Sequence, residues 1–143
     1  MTPTEQANAT VMLDIFSAIE RWDSQRLAEL CRPDVEFCWP AALPYGGTTR
    51  GLRFEPPTWI HTWAHLQPTE AERCMEPRVV ASKGDEVVVL WRQRGLSPGG
   101  ERFDGPVLAL YTVRDGRLAH AQMFYFDTPE LVEFLARAGG RAA

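Results

Sequence analysis

The stretch EVVVLWRQRGLSPGGERFDGPVLALYTVRDGRLAHAQMFYF, residues 86–126, decides the fold. It holds three runs rich in β-branched and aromatic residues, over about 86–95, 101–113 and 117–126, and turn signals separate them. Ser97-Pro98-Gly99-Gly100 and Asp115-Gly116 supply the chemistry that reverses a chain between antiparallel strands. Upstream, Lys83-Gly84-Asp85 joins a further run at 71–82 to the first of these. The region after Pro68 therefore reads as a meander of long hairpins.

The region before it reads as helix. Thr2-Pro3-Thr4-Glu5 places a hydroxyl cap, a proline at the first helical position and a glutamate at the third, which is a capping box in sequence form. Met12, Phe16 and Ile19 form one apolar stripe, with Val11, Ile15, Ala18 and Trp22 beside it. Thr10, Asp14, Ser17 and Arg21 mark the wet side. Asp23 and Ser24 cap a second helix with Leu27, Leu30 and Cys31, which Pro33 stops. Val35 to Trp39 alternates as a strand does, and 40–51 is a long irregular connection of the kind that often borders a site. Trp59, Trp63 and Leu66 share one face of a third helix expected from about 57 to 66. Asp127-Thr128-Pro129-Glu130 repeats the capping grammar ahead of a last helix with Leu131, Phe134, Leu135 and Ala138, ended by Gly139-Gly140. Helices first and strands afterwards argue for an α+β layer, with helices packed on one face of a curved antiparallel sheet.

At 143 residues and 16.1 kDa, with 45% hydrophobic and 24% charged residues, the chain is a single domain, 1–143, with enough core to fold without staples. A net charge of -4 without a basic stripe excludes nucleic acid as the expected partner. No apolar run approaches the roughly 18 residues of a membrane span, and residues 1–20 lack an export pattern, so a cytoplasmic location away from membranes is expected. Cys31, Cys38 and Cys74 are odd in number and unclustered, which reads as three buried thiols, neither a disulfide framework nor a metal knuckle. His61 and His65 stand four apart on the expected third helix, but no third ligand accompanies them. Neither metal nor cofactor is expected.

This order of elements, together with Trp22-Asp23, Pro33-Asp34-Val35, Pro44-Tyr45-Gly46-Gly47-Thr48-Thr49-Arg50-Gly51 and Asp115-Gly116-Arg117-Leu118, resembles the nuclear-transport-factor-2-like superfamily. Within it the chain is similar to the SnoaL-like polyketide cyclase and ketosteroid isomerase branch. The resemblance implies a cone-shaped α+β barrel: a bent sheet wrapped around three helices, a short C-terminal helix, an apolar cavity open at one end, and a homodimer through the outer sheet face. Desolvation in such a cavity shifts the pKa of any acid or base inside it.

The catalytic positions of the relatives are vacant. The isomerase pattern of one tyrosine and two aspartates falls on Ile15 or Phe16, Trp39 and Leu108. The limonene epoxide hydrolase pattern keeps Arg92 but puts Arg94 where an acid belongs and Trp39 where an asparagine belongs. The cyclase pair of histidine and aspartate falls on Ser97 and on Met123 or Phe124.

What remains follows from strand parity. If Leu108 faces inward as its family counterpart does, Pro106 and Asp104 share its wall, which makes Asp104 a candidate acid; its alternative is a surface bulge at Phe103-Asp104-Gly105. Arg92, inward by the same matching, either steadies an anion or forms a cross-sheet salt bridge. His120 and Gln122 share a face and are taken as inward; one extra residue between Gly116 and Asp127 reverses this and turns Ala121 and Met123 inward. Asp127 is read as a helix cap. Phe37, Trp39, Tyr45, Trp63, Trp91, Phe124 and Tyr125 would line or cover the cone.

The expected function is that of a small cofactor-independent cyclase, isomerase or dehydratase acting on a hydrophobic oxygenated metabolite such as a polyketide or terpenoid intermediate. Asp104 or His120 would move the proton and Arg92 would steady negative charge; Phe37, Trp39, Tyr45, Trp63, Leu108, Gln122 and Phe124 would hold the ligand. The alternative is a non-catalytic binding protein or accessory subunit for a small apolar molecule.

Overall fold

A computed structural model describes residues 1–52 and 65–139. Helix α1 (Pro3–Arg21) starts on the anticipated capping box: Glu5 N–H donates to Thr2 Oγ1 at 3.1 Å and Thr2 N–H to Glu5 Oε1 at 2.8 Å. The second oxygen of Glu5 accepts from Gly84 N–H at 2.8 Å, which ties the helix to the turn between two strands. These backbone donors hold the Glu5 carboxyl below the usual carboxylate range. Asp23 caps α2 (Ser24–Leu30) through Arg26 N–H. Trp22 leaves the apolar stripe expected of it and is 60% exposed. The helix has already ended there, in a left-handed C-cap at φ 56°, and the Arg73 guanidinium sits over the indole ring at 5.7 Å.

The strands are β1 (Cys31–Trp39), β2 (Gly47–Arg50), β3 (Arg78–Lys83), β4 (Glu86–Leu96), β5 (Arg102–Arg114) and β6 (Arg117–Tyr125). They form one curved, unclosed sheet in the order β2-β1-β6-β5-β4-β3, antiparallel throughout except for β1 beside β6. The expected strand at 71–82 begins later, because a short helix α3 (Glu70–Arg73) occupies its start. Most of the helix expected at 57–66, and with it Trp59, His61 and Trp63, lies outside the described residues; of its last two residues, His65 is in a turn and Leu66 forms an isolated antiparallel bridge with Gly95, so the helix does not reach 66. Helix α4 (Thr128–Ala138) starts at Asp127, whose carboxylate accepts from Glu130 N–H at 3.1 Å, so Asp127 is a cap as read.

Among the described residues two clusters make the core. The larger packs α1 and α2 on the inner sheet face through Met12, Ile15, Phe16, Val35, Val89, Tyr111 and their neighbours. The smaller sits under α4 and the 40–46 connection around Leu43, Tyr45, Phe103, Leu131 and Phe134. Phe134, 1% exposed, contributes roughly 1.5–3 kcal/mol by burial alone. Of the cysteines only Cys31 is buried, and burial pushes its thiol up to about 12; Cys38 and Cys74 are half-exposed, which corrects the expectation of three buried thiols.

Candidate functional site

Parity on β4, β5 and β6 fixes what the cone encloses. On β4 the buried positions are Val87, Val89, Trp91, Gln93 and Gly95; on β5 they are Phe103, Val107, Ala109, Tyr111 and Val113. On β6 a bulge changes the phase: Val113 pairs with Leu118 but Thr112 pairs with His120, leaving Ala119 as the extra residue. Leu118, Ala121 and Met123 are consequently buried, and His120, Gln122 and Phe124 look out. This is the reversed phase of the two weighed above.

The space between helix and sheet is a half-open hollow of about 140 Å³, lined by Met12, Ile15, Phe16 and Ile19 of α1 and by Phe37, Trp39, Gln67, Met75, Trp91, Tyr111, Leu118 and Met123. Five of these twelve lining residues carry rings. Phe37 stacks on Trp39 with centroids 5.7 Å apart, and Phe16 packs on Trp91 at 5.8 Å and edge-on to Tyr111 at 6.2 Å. The polar groups on the lining are neutral: the Tyr111 phenol, the Gln67 amide and the Trp39 and Trp91 indoles. Burial pushes the Tyr111 hydroxyl far above its ordinary pKa, so it stays protonated. The Trp91 indole N–H lies beside that hydroxyl but, among the described residues, has no hydrogen-bond partner of good geometry. Among the described residues no carboxylate, imidazole or guanidinium lines the hollow.

Several expected site residues are therefore corrected. Asp104, Arg92 and Leu108 lie on the outer sheet face, because Leu108 pairs with Leu90 and Phe124, Arg92 with Pro106 and Arg94 with Asp104. Arg92 Nε donates to Asp104 Oδ1 at 2.6 Å, and Arg94 Nε lies 3.5 Å from the other oxygen, which is the cross-sheet salt-bridge alternative. His120 is also outside, with Nε2 3.4 Å from Cys38 Sγ. It borders a polar concavity of about 450 Å³ beside Arg32, Arg50 and Arg114, but those cations already pair with Asp34, Glu36 and Asp85. Gln122 and the 54% exposed Phe124 share that outer face.

Phe37 and Trp39 are in the lining as expected. Tyr45 stands behind it, edge-on to Trp39 at 5.7 Å, with its hydroxyl 3.1 Å from that of Tyr125. Gln67, Met75, Tyr111 and Met123 were missed as site residues. The signal for Tyr111 was present in Val107, Ala109, Tyr111 and Val113, an apolar series opposite the parity that carries Asp104 and Thr112. Arg92 and Arg94 at one parity of β4 carry the same message, since two guanidiniums inside an apolar core are too costly to desolvate.

A bent sheet over helices, enclosing a small aromatic hollow, defines the class. Residues 13–121 match the SnoaL-like domain, and the chain belongs to that family. Solved structures agree in fold. A nuclear-transport-factor-2-like protein of unknown function from Burkholderia pseudomallei is 20% identical, covers 90% of this chain and 97% of its own, and superposes with a TM-score of 0.71. A candidate SnoaL-like polyketide cyclase from a Jannaschia species is 19% identical over 99% and 97% of the two chains, at 0.68. TerC co-crystallised with polyporic acid is 21% identical over 90% and 98%, at 0.67. No curated protein matches the sequence. Among the described residues, no helix is long and apolar enough to cross a membrane, and no group of side chains is arranged to hold a metal ion.

Proposed function

We propose that the cone binds one flat, apolar ring of an oxygenated metabolite and presents neutral hydrogen-bond donors to it. The observation that carries this is the hollow of about 140 Å³ between Phe37, Trp39, Trp91 and Tyr111. Apolar cavities of about 150 Å³ stay dry and admit benzene-sized guests, whereas sites that engulf a drug-sized ligand run to roughly 300–1,000 Å³. One ring fits inside, and the remainder of a larger metabolite lies outside the hollow.

The enzymatic form of this reading is a cyclase, isomerase or dehydratase without a cofactor. It is favoured by Tyr111, whose raised pKa keeps it a donor able to steady developing charge on a ligand oxygen. The candidate SnoaL-like polyketide cyclase among the structural relatives supports the same ligand class. A homodimer belongs to the reading as well: Leu90, Leu108 and Phe124 stand in one row on the outer face, where a second copy would cover them.

Titration with toluene, followed by the indole N–H resonance of Trp91, tests the binding step. A saturable shift is expected, and no shift up to the solubility limit of toluene would overturn the proposal. Turnover of aromatic polyketides, read as product by mass spectrometry, separates enzyme from binder. Loss of product in Tyr111→Phe with ring binding intact is the enzymatic outcome, and absence of product from the unaltered chain leaves the binding protein.

A further inference from the structure

Gln67 is the lining residue whose conformation packing alone does not explain. Its backbone lies in the left-handed region at φ 57°, where a residue with a Cβ is strained, and it is held there from both sides. Its N–H donates to the Arg94 carbonyl at 3.0 Å, and its own carbonyl accepts from Arg73 Nη1 at 3.3 Å. The residue is 8% exposed and belongs to the lining of the hollow.

The amide has one contact, Nε2 to Met75 Sδ at 3.0 Å. A thioether has no proton to give, so the nitrogen must face the sulfur and Oε1 is turned away from it. Among the described residues, Nε2 to Met75 is the hydrogen bond the side chain makes, and Oε1 is not among the polar atoms sealed from solvent without a partner, so it stays accessible. Sulfur is a weak acceptor, and a flexible methionine gives way readily. The wall thus holds an accessible acceptor next to a donor on a weak, exchangeable bond.

We infer that Gln67 is a specificity residue of the hollow, selecting a ring that carries a hydroxyl at this wall over the hydrocarbon ring of the same shape. This rests on the ring-binding proposal above. The hydroxyl donates to Oε1, and Nε2 leaves Met75 to donate to the hydroxyl oxygen, so both halves of the amide are satisfied. Without such a partner, a hydroxyl entering a dry cavity is penalised by its lost hydration.

Phenol and toluene, nearly equal in size, are the probes. Dissociation constants for both are measured by the Trp91 indole shift in the unaltered chain and in Gln67→Met. The expected result is a phenol constant raised about tenfold, the scale of one hydrogen bond to a buried group, with the toluene constant changed less than twofold. Gln67→Asn withdraws the amide by one methylene and suits the left-handed backbone better, so it gives the same loss in a variant that folds readily. An unchanged phenol constant in either variant, or an equal loss for both probes, overturns the inference. Failure of the unaltered chain to bind either probe overturns the ring-binding proposal itself.

Discussion

Tyr125 donates its hydroxyl to Gln93 Oε1 at 3.1 Å, while the amide nitrogen of that glutamine, fully buried, meets no acceptor among the described residues. Because the Tyr125 proton is committed to Gln93, the Tyr45 hydroxyl, 3.1 Å away, is the donor of that pair. A directed chain from Tyr45 through Tyr125 to Gln93 runs between the two core clusters and ends on an unmet donor.

The two ends of the Tyr125–Gln93 bond should respond unequally to mutation. Tyr125→Phe strips the glutamine of its remaining partner and is expected to cost about 1–3 kcal/mol, the penalty of an unsatisfied buried group. Gln93→Met removes the orphaned donor with little change of volume and is expected to cost under about 1.5 kcal/mol. Urea unfolding of both variants checks this. Equal losses would mean that the glutamine nitrogen is satisfied in solution.

Asp104 gives the second prediction. It and Arg92 have side chains 47% and 39% exposed, and pairs of that kind are worth about 0–1 kcal/mol. Asp104→Asn should therefore lower stability by less than about 1 kcal/mol and leave toluene binding unchanged. A loss of ring binding in this variant would restore Asp104 to the site.

The contrast between Asp104 and Tyr111 shows what the sequence made legible. Capping grammar at Thr2 and Asp127, and turn chemistry at Gly84, Gly100 and Gly116, are local signals, and each corresponds to an element boundary in the structure. The face a strand presents is different, since one inserted residue inverts every side chain beyond it. The bulge at Ala119 does this on β6, so His120 left the cavity and Met123 entered it. On β5 the error came from aligning Leu108 to an inward family position, against the apolar parity of Val107, Ala109 and Tyr111. Gln67 was invisible for another reason. Its place in the lining depends on a left-handed backbone fixed by Arg94 and Arg73, contacts that no local pattern announces.

Alkaline stability follows from buried acids. Cys31 is pushed up to about 12 from 9, and Tyr45, Tyr111 and Tyr125 are raised above 10, each by burial first. A raised folded pKa means that above the unfolded value the unfolded chain binds fewer protons than the folded one, so stability falls as pH rises. The contribution is complete below about pH 9 and declines above it, with Cys31 responsible for the onset and the tyrosines following above pH 10. Denaturant midpoints taken from pH 8 to 11 should show this decline, and Cys31→Ala should delay its onset by about one pH unit. A midpoint flat to pH 11 in the unaltered chain would contradict the burial of these groups.

The hollow carries the last prediction, because an apolar void is not free of cost. At about 24 cal/mol per Å³, a closed void of 140 Å³ costs roughly 3 kcal/mol, which is the upper bound on the packing forgone at this half-open hollow. A chain selected for stability alone would fill it with a larger residue on α1. Ile15 is buried and lines the hollow, so Ile15→Phe extends a ring into the space. The expected outcome is a melting temperature equal to or above that of the unaltered chain, together with loss of the toluene-dependent Trp91 shift. If the variant melts lower and still binds toluene, the ring occupies some other site, and the void on the helix side of the sheet is not where the ligand sits.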